Sequence, residues 1–464
     1  MNNSKRLVKN TIIISIGKFS TQLVSFFLLP LYTAILTEAE YGTYDFICTM
    51  VLFLVPFTTL LMEEAMFRFL IDTENEKEKR EVITQSILFI GLSTIIISIV
   101  LLIILSIVRY ELKYYLIFYL IASIYNSISQ AFSRGVSQIK MYSFAAFISS
   151  SLTLCLNVIF IVYFRLGVKG LLLAFIIANI ITPTFVFIRL KIWKYIRFKY
   201  IKYKKIKDML LYSIPLVPNS VSWVIINLSD RLVVTSVMGE SANGVLAIAH
   251  KFPNMINTIY GYFYTAWKEE ASRALKEGDY KSYYNDIYKV LKRFLISISL
   301  GMISVLPFVF NVLIDEKFSE AYVYIPVLIF GIYFGNISGF YGGIFSAKKD
   351  TRIMGSTTIF SAILNLVISI ALIKYIGIMA TVISTLIANL SVCIYRCIKL
   401  RKYIIFDKDI YFYLWTSIAI LISIICYYSQ SIILELVGLF VTLIYCLLAN
   451  KKVLKGLLIK IKNK

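Results

Sequence analysis

The stretch PLVPNSVSWVIINLSDRLVVTSVMG, residues 215–239, decides how this chain is to be read. It is long and apolar enough for a membrane helix, yet it holds Asp230 and Arg231 side by side. An Arg, Lys or Asp at the centre of a membrane helix costs roughly 2.5–3.5 kcal/mol on insertion scales. Such a pair persists for one of two reasons: it locks helices together, or it serves a solute that passes. The surrounding segments repeat the pattern. Lys18 interrupts the first apolar run, and His250 with Lys251 interrupts the run after Arg231.

Composition fixes the class. The 464 residues are 59% hydrophobic and 16% charged, with a mean hydropathy of +0.78. Soluble domains carry about 25% charged residues. No soluble core of this length absorbs so much apolar side chain, so the bilayer is the solvent. A net charge of +22 in a soluble chain would point to nucleic acid. Here the basic residues come in short bursts between apolar runs, which makes them topology signals and argues against a nucleic-acid partner.

Working outward from residues 215–239, fourteen apolar segments can be drawn: 11–36, 41–70, 84–108, 114–133, 142–164, 169–188, 210–237, 242–267, 290–314, 321–347, 353–373, 376–395, 410–428 and 430–449. Each reaches the roughly 20 residues a spanning helix needs. With the N-terminus in the cytoplasm, 38 of the 48 Lys and Arg residues fall on the inner side and 6 outside; Lys18, Arg68, Arg231 and Lys251 lie within segments. That bias supports the parse, because one missed helix would invert it downstream. The prediction is an all-α polytopic membrane protein of about 14 transmembrane helices with both termini cytoplasmic.

The outer loops are very short, for example TEAE (37–40), GES (239–241) and YSQS (428–431). Among the inner loops, 189–207 holds nine basic residues and reads as a segment lying against anionic membrane lipid, worth roughly 1 kcal/mol per basic residue. The inner stretch 267–290 mixes charges at helical spacing and predicts a short surface helix. Lys5, Arg6 and Lys9 precede an apolar run that could pass for a signal peptide. It is too long, Lys18 interrupts it and no small-residue cleavage site follows, so it reads as a retained first helix. The six cysteines lie within apolar segments and read as small hydrophobes. Cys393 and Cys397 lack the His or acid partners of a metal site, and no cofactor is implied.

The chain repeats itself. EAEYG (38–42) matches ESANG (240–244) at an offset of 202, and LGVKGLLLAFIIAN (166–179) matches IGIMATVISTLIAN (376–389) at 210. Leu-Asn recurs at 156–157 and 364–365. Six helices separate the copies, so their orientation is the same and the repeat is parallel. The expected organisation is an N-lobe over 1–190 (helices one to six), a basic cytoplasmic loop over 191–209, a C-lobe over 210–402 (helices seven to twelve), and helices thirteen and fourteen with a basic tail over 403–464.

Two six-helix lobes related in this way are a transporter plan, with the solute between them. Pro30, Pro56, Pro215, Pro218 and Pro253 cluster in the first two helices of each lobe, where freed backbone groups suit discontinuous helices. By depth, Lys18, Glu64 and Arg68 fall toward the inner side, and Asp230, Arg231, His250 and Lys251 toward the outer. Cationic positions in both halves suit a path for an anion better than a fixed metal cage. Asn219, Trp223, Asn227, Asn257, Tyr260 and Tyr264 could serve sugar hydroxyls and ring stacking, although Tyr and Trp also serve as packing or interface anchors. Asp45, Glu63, Glu64 and Asp230 could carry a coupling cation, as could His250, the lone histidine, since histidine is the side chain whose ordinary pKa lies near neutral pH.

The strings SFFLLPLYTAILTEAEYGTYD (25–45), SIPLVPNSVSWVIINLSDRLVVTSVMGESANGVLAIAHKFPNMINTIY (213–260) and YGGIFSAKKDTRIMGSTTIFSAILNLVISI (341–370) resemble the polysaccharide-biosynthesis flippases of the O-antigen or Wzx type. These belong to the multidrug/oligosaccharidyl-lipid/polysaccharide exporter superfamily. The resemblance implies alternating access between two lobes. It implies translocation of undecaprenyl-pyrophosphate-linked oligosaccharide from the inner to the outer leaflet of a bacterial cytoplasmic membrane, for cell-surface polysaccharide. Polymerase and chain-length regulator are then expected partners. Carried over, Asp230 and Arg231 match the NLSDR motif and Lys18 the first-helix lysine. The expected substrate-binding set is Lys18, Asn219, Trp223, Asn227, Arg231, Lys251 and Tyr260; the expected coupling or gating set is Asp45, Glu64, Arg68, Asp230 and His250. Multidrug exporters share the two-lobe plan but favour acidic cavities, and lipid-II-type flippases of the same superfamily are a further alternative. Tiny outer loops and a single histidine argue against an enzyme.

Overall fold

The computed structural model describes residues 28–73, 75–197, 199, 202–275, 280–348, 350–407 and 409–451. Of the expected first segment, 11–36, only the end is therefore described, and Lys18 lies outside the described residues. Among the described residues every regular element is helical. In chain order they are α1 (Leu29–Ile35), α2 (Glu38–Thr59), α3 (Met62–Asp72), α4 (Glu76–Ile107), α5 (Lys113–Gly135), α6 (Ile139–Asn157), α7 (Gly167–Arg189), α8 (Tyr203–Ser213), α9 (Val217–Met238), α10 (Glu240–Ala274), α11 (Tyr280–Leu313), α12 (Ala321–Ala347), α13 (Thr351–Ile376), α14 (Met379–Leu400), α15 (Ile410–Tyr428) and α16 (Ile432–Ala449). A π-helical turn, Val158–Tyr163, extends α6.

The helix starts are legible chemistry. Thr37 accepts from Glu40 N–H (3.2 Å) while Glu40 accepts from Thr37 N–H (2.9 Å), a capping box that opens α2. Asn75 caps α4 and Asp409 caps α15. Gly377, at φ +58, closes α13 in a conformation that suits glycine.

Among the described residues, eleven helical spans are long and apolar enough to cross a bilayer. Three expected segments are not in that set. Segment 11–36 falls mostly outside the description, 210–237 is the 3-10 turn Ile214–Leu216 followed by α9, several of whose side chains lie outside the described ones, and 242–267 is α10, which carries His250 and Lys251. The outer face of α4 shows why lipid is required: Leu92, Ile95, Ile96, Ile99 and Ile103 are each more than half exposed. A contiguous apolar face of this kind is not seen on soluble monomers.

The chain divides into two units, residues 1–231 and 232–464. In the first, α5 packs against α2, α3, α4 and α7, and α6 packs on α7. In the second, α12 packs against α10, α11 and α14, and α13 packs on α14. The pairings correspond position by position, as a repeat requires. Asn157 and Asn365, the recurring Leu-Asn asparagines, are both buried and both brace helices: Asn157 Nδ2 donates to Tyr32 Oη (2.6 Å), and Asn365 Nδ2 to Ser384 Oγ (3.1 Å) and Thr385 Oγ1 (3.0 Å). Helices α15 and α16, the pair without a counterpart, lie together on α11 through Ser304–Thr442 (2.7 Å) and Ser423–Thr442 (3.0 Å) hydroxyl contacts. Small hydroxyl side chains serve that purpose inside a bilayer, where apolar surface alone gives helices no preference for one another.

Two expectations about loops need correction. The stretch 267–290 does not form a short surface helix: residues 267–274 finish α10 and 280–290 begin α11, because the same mixed-charge spacing suits the aqueous ends of long helices. Nor does the basic segment after α7 lie wholly on lipid. Thr84 Oγ1 donates to Tyr195 O (3.1 Å) and accepts from Arg197 N–H (3.1 Å), and Lys202 Nζ pairs with buried Glu81 (2.6 Å), so its backbone is tied to α4 before α8 begins.

The prolines act unevenly. Pro215 sits in the 3-10 turn before α9, whereas Pro253 lies within unbroken α10. Pro56 precedes a sharp break. Leu60 (φ 49) and Leu61 (φ 54) both adopt left-handed backbone and separate α2 from α3. For a residue with a Cβ this costs about 1–2 kcal/mol each.

Candidate functional site

Arg231 finds its carboxylate on another helix. Its Nε donates to Asp45 Oδ2 at 2.5 Å, with the side chains 8% and 17% exposed. Asp45 lies seven residues into α2, and Arg231 seven residues before the end of α9. At 1.5 Å per residue both are about 10 Å inside the helix ends, so the pair is level. Asp230, adjacent in sequence and buried, adds a second negative charge beside Arg231. The pair therefore neutralises an intramembrane arginine without leaving either charge alone, which a buried ion needs.

Two tyrosines, Tyr41 and Tyr44, precede Asp45 on the same helix. Tyr32, Tyr41 and Tyr44 follow one another at ring separations of 6.2 and 6.3 Å. Cys48, one turn beyond Asp45, meets Tyr119 Oη (3.2 Å), and Tyr119 stacks on Phe175 at 3.8 Å. Four phenol groups and a carboxylate–guanidinium pair in one apolar setting give hydrogen-bonding groups that hold polar solutes as well as neighbouring helices.

The remaining sequence candidates fall in separate places. Glu64 pairs with Arg134 of α5 (3.1 Å), whose guanidinium also lies over the Phe67 ring (4.4 Å). Arg68 is exposed on α3. Asn219, Trp223 and Asn227 lie on α9, and their side chains are outside the described ones. In the second unit, His250 is buried on α10 beside half-buried Lys251. Tyr260 is buried one helical turn before Tyr264, stacked on it at 5.8 Å.

Tyr260 belongs to a seam the sequence shows only in part. Helix α12 presents Gly335, Gly339, Gly342 and Gly343 to its neighbours. A Cβ at Gly339 would meet Tyr260 Oη at 2.7 Å, and one at Gly343 would meet Trp267 Nε1 at 2.5 Å. Trp267 Nε1 donates to Phe340 O (3.0 Å). The glycines thus permit close approach of bulky aromatics.

At the basic end of that seam stands Arg396, which the sequence reading counted with the inner loop. It is 3% exposed and lies within α14. Its guanidinium donates to Thr357 Oγ1 (2.9 and 2.8 Å), Ser338 O (3.0 Å), Met354 O (3.2 Å) and Thr358 Oγ1 (3.3 Å). Every one of these acceptors is neutral. The signal that could have found it is the seven-residue spacing from Asn389, which puts both on one face of α14.

The fold is similar to known transporters. It matches the lipid II flippase MurJ in an inward closed conformation at a TM-score of 0.73, with 17% identity over 96% of this chain and 100% of that one. It also matches an inward-facing multidrug resistance MATE family transporter of the MOP superfamily (TM-score 0.68, 15% identity, 88% of this chain and 98% of that one). An outward-facing MATE transporter follows at 0.58, with 16% identity over 90% and 95%. At such identities the likeness is one of fold. No curated protein matches the chain in sequence. A family described as polysaccharide biosynthesis protein matches residues 7–267, which include α2, the NLSDR motif and the Asp45–Arg231 pair. This multi-pass membrane chain belongs to the polysaccharide biosynthesis protein family.

Proposed function

We propose that the protein is a flippase. It carries undecaprenyl-pyrophosphate-linked oligosaccharide units from the cytoplasmic to the outer leaflet of a bacterial inner membrane, by alternating access, for cell-surface polysaccharide. The observation that carries the reading is the family match across a segment that keeps a charged pair and a set of tyrosines inside the membrane. The likeness in fold to a lipid II flippase agrees with it. The polyprenyl tail can remain in lipid, so only the sugar-pyrophosphate headgroup needs a polar path. Lys18, Arg231 and Lys251 would lower the cost of desolvating that anion, and Asn219, Trp223, Asn227 and Tyr260 would meet its sugars. Asp45 in this reading is the resting partner of Arg231, released when the headgroup arrives; Asp230, Glu64, Arg68 and His250 serve gating or coupling. A negative interior favours exit of an anion by about 2.3 kcal/mol per charge per 100 mV, and a headgroup near −2 gains about twice that. The basic segment after α7 meets anionic lipid, and a polymerase and chain-length regulator receive the product.

The test is leaflet translocation of a fluorescent undecaprenyl-pyrophosphate oligosaccharide in proteoliposomes, wild type against Arg231→Ala at matched folded protein. Translocation by the wild type and its loss in the variant support the reading. Export of an organic cation without translocation of the lipid would replace it with a multidrug exporter, whose fold the chain shares.

A further inference from the structure

Arg396 carries a charge that nothing around it balances. Its side chain is buried, and its hydrogen bonds among the described residues all end on neutral hydroxyls and carbonyls. The ionisable groups beside it are Tyr264, Cys393 and Tyr260, side chains ordinarily uncharged at neutral pH. Neutral acceptors satisfy the N–H groups but leave the charge uncompensated, and a buried charge ordinarily has an opposite partner. The fold itself does not demand a cation there. On α7, the repeat counterpart of α14, the position 210 residues earlier is Val186, which is fully buried. A contact at this place in the bundle can therefore be apolar.

The groups around Arg396 are donors. A Cβ at Gly342 would meet Arg396 Nη1 at 3.3 Å and Tyr264 Oη at 3.9 Å, so the guanidinium and the phenol converge on one glycine of α12. Tyr260, stacked on Tyr264, points its hydroxyl at Gly339, three residues before. Tyr260 is 6% exposed, and its Oη has no hydrogen-bond partner among the described residues. On the other side, exposed Lys268 lies over the Tyr264 ring at 5.1 Å. The cluster thus holds two cations and two phenols, with no carboxylate among the ionisable groups beside Arg396.

This cluster adjoins a polar face. Asn254, Asn257, Gly261, Thr265 and Lys268 are exposed along α10 at spacings of three and four residues, and half-buried Tyr264 borders them. Polar positions on a membrane helix face a water-filled cavity or the bundle interior, not lipid. Tyr264 therefore stands between that face and Arg396. A guanidinium fork with phenol donors matches the two oxygens of a carboxylate or a phosphate.

We propose that Arg396, with Tyr264 and Tyr260, is an oxyanion-binding site on the transport path, which takes a phosphate or carboxylate group of the transported headgroup once Tyr264 turns aside. The proposal deepens the flippase reading above and rests on it. The oxyanion belongs either to the diphosphate linkage or to an acidic sugar of the glycan.

The test is thermal unfolding of the full chain in detergent, titrated with inorganic pyrophosphate or with glucuronate at constant ionic strength. At least one probe should raise the midpoint by about 2 °C or more at saturation. Arg396→Lys, which keeps the charge and loses the fork, should raise the concentration required by about tenfold or more. Tyr264→Phe, which keeps the ring and removes one donor, should raise it by about threefold or more. A response to pyrophosphate alone assigns the site to the linkage, a response to glucuronate alone assigns it to an acidic sugar, and a response to both leaves it a general oxyanion site. No response to either probe, or the same response in the wild type and both variants, overturns the proposal. Neither probe has to cross a membrane. A wild type that translocates the lipid-linked solute but gives no such response refutes this site and leaves the flippase reading standing. One that binds the oxyanion and translocates no lipid does the reverse.

Discussion

Removing either member of the Asp45–Arg231 pair is expected to cost more than removing both. Cutting one partner from a buried pair leaves the other charge uncompensated, at about 3–5 kcal/mol. Asp45 is 17% exposed and Asp230 stands beside Arg231, so partial compensation lowers the figure for Asp45→Asn to about 2–3 kcal/mol. For Arg231→Gln, Asp45 and Asp230 remain near one another without their shared cation, and the cost lies toward the top of the 3–5 kcal/mol range. In the double variant, Asn and Gln replace the ion pair with a neutral hydrogen bond, and the loss shrinks to about 1–2 kcal/mol. The double-mutant cycle should therefore show a coupling of about 4 kcal/mol or more, well above what distant sites give. Equilibrium unfolding in mixed micelles reads these differences, with translocation measured on the same preparations. Single variants that each lose less than about 1 kcal/mol, and that add in the double, would refute the claim that the pair neutralises an intramembrane charge.

Two further outcomes follow from side chains elsewhere. Arg396→Leu leaves Thr357 and the Ser338 and Met354 carbonyls without their donor. At about 1–3 kcal/mol for an unsatisfied buried group, a clear drop in thermal midpoint is expected, and Arg396→Lys should recover only part because an amine lacks the guanidinium fork; a midpoint unchanged in both would exclude the bracing role. Near the helix ends, Lys402 and Tyr403 hold Asp350 below the usual carboxylate range, and Lys289 with Asn285 does the same for Asp407. A lowered folded-state value means stability that is present above the unfolded pKa of 3.8 and is lost as pH falls through the folded value. Amide exchange in residues 403–407 should therefore stay slow from neutral pH down to about pH 4; opening already near about pH 6 would contradict the assignment.

The helical plan was legible because hydrophobic run length and the lysine and arginine bias are both local signals. The repeat was legible too, since EAEYG and ESANG mark the same helix start in the two units. What escaped was pairing. Asp45 and Arg231 are 186 residues apart, and nothing local names one as the partner of the other. The sequence instead invites a pairing of Arg231 with the neighbouring Asp230. The break at Leu60–Leu61 was hidden because leucine gives no warning of left-handed backbone, and the prolines drew attention to helices that, like α10, run through them unbroken. Arg396 was misplaced for the opposite reason: a basic residue near a segment end looks like a loop signal until the helix is seen to continue to Leu400.

The lengths of α10 and α11 carry a practical consequence. At 35 and 34 residues they measure about 50 Å, against a hydrocarbon core of about 30 Å. Their charged ends, residues 267–274 and 280–290, therefore extend past that core, packed on one another where Tyr284 Oη donates to Ala271 O. A rod amplifies angle into displacement: a tilt of about 10° within the membrane moves a tip about 20 Å away by about 3.5 Å. Spin labels or dyes at such tips, for instance at exposed Ser272 and Lys281, would register rocking of the buried segments at a magnified scale, without a probe having to enter the bilayer.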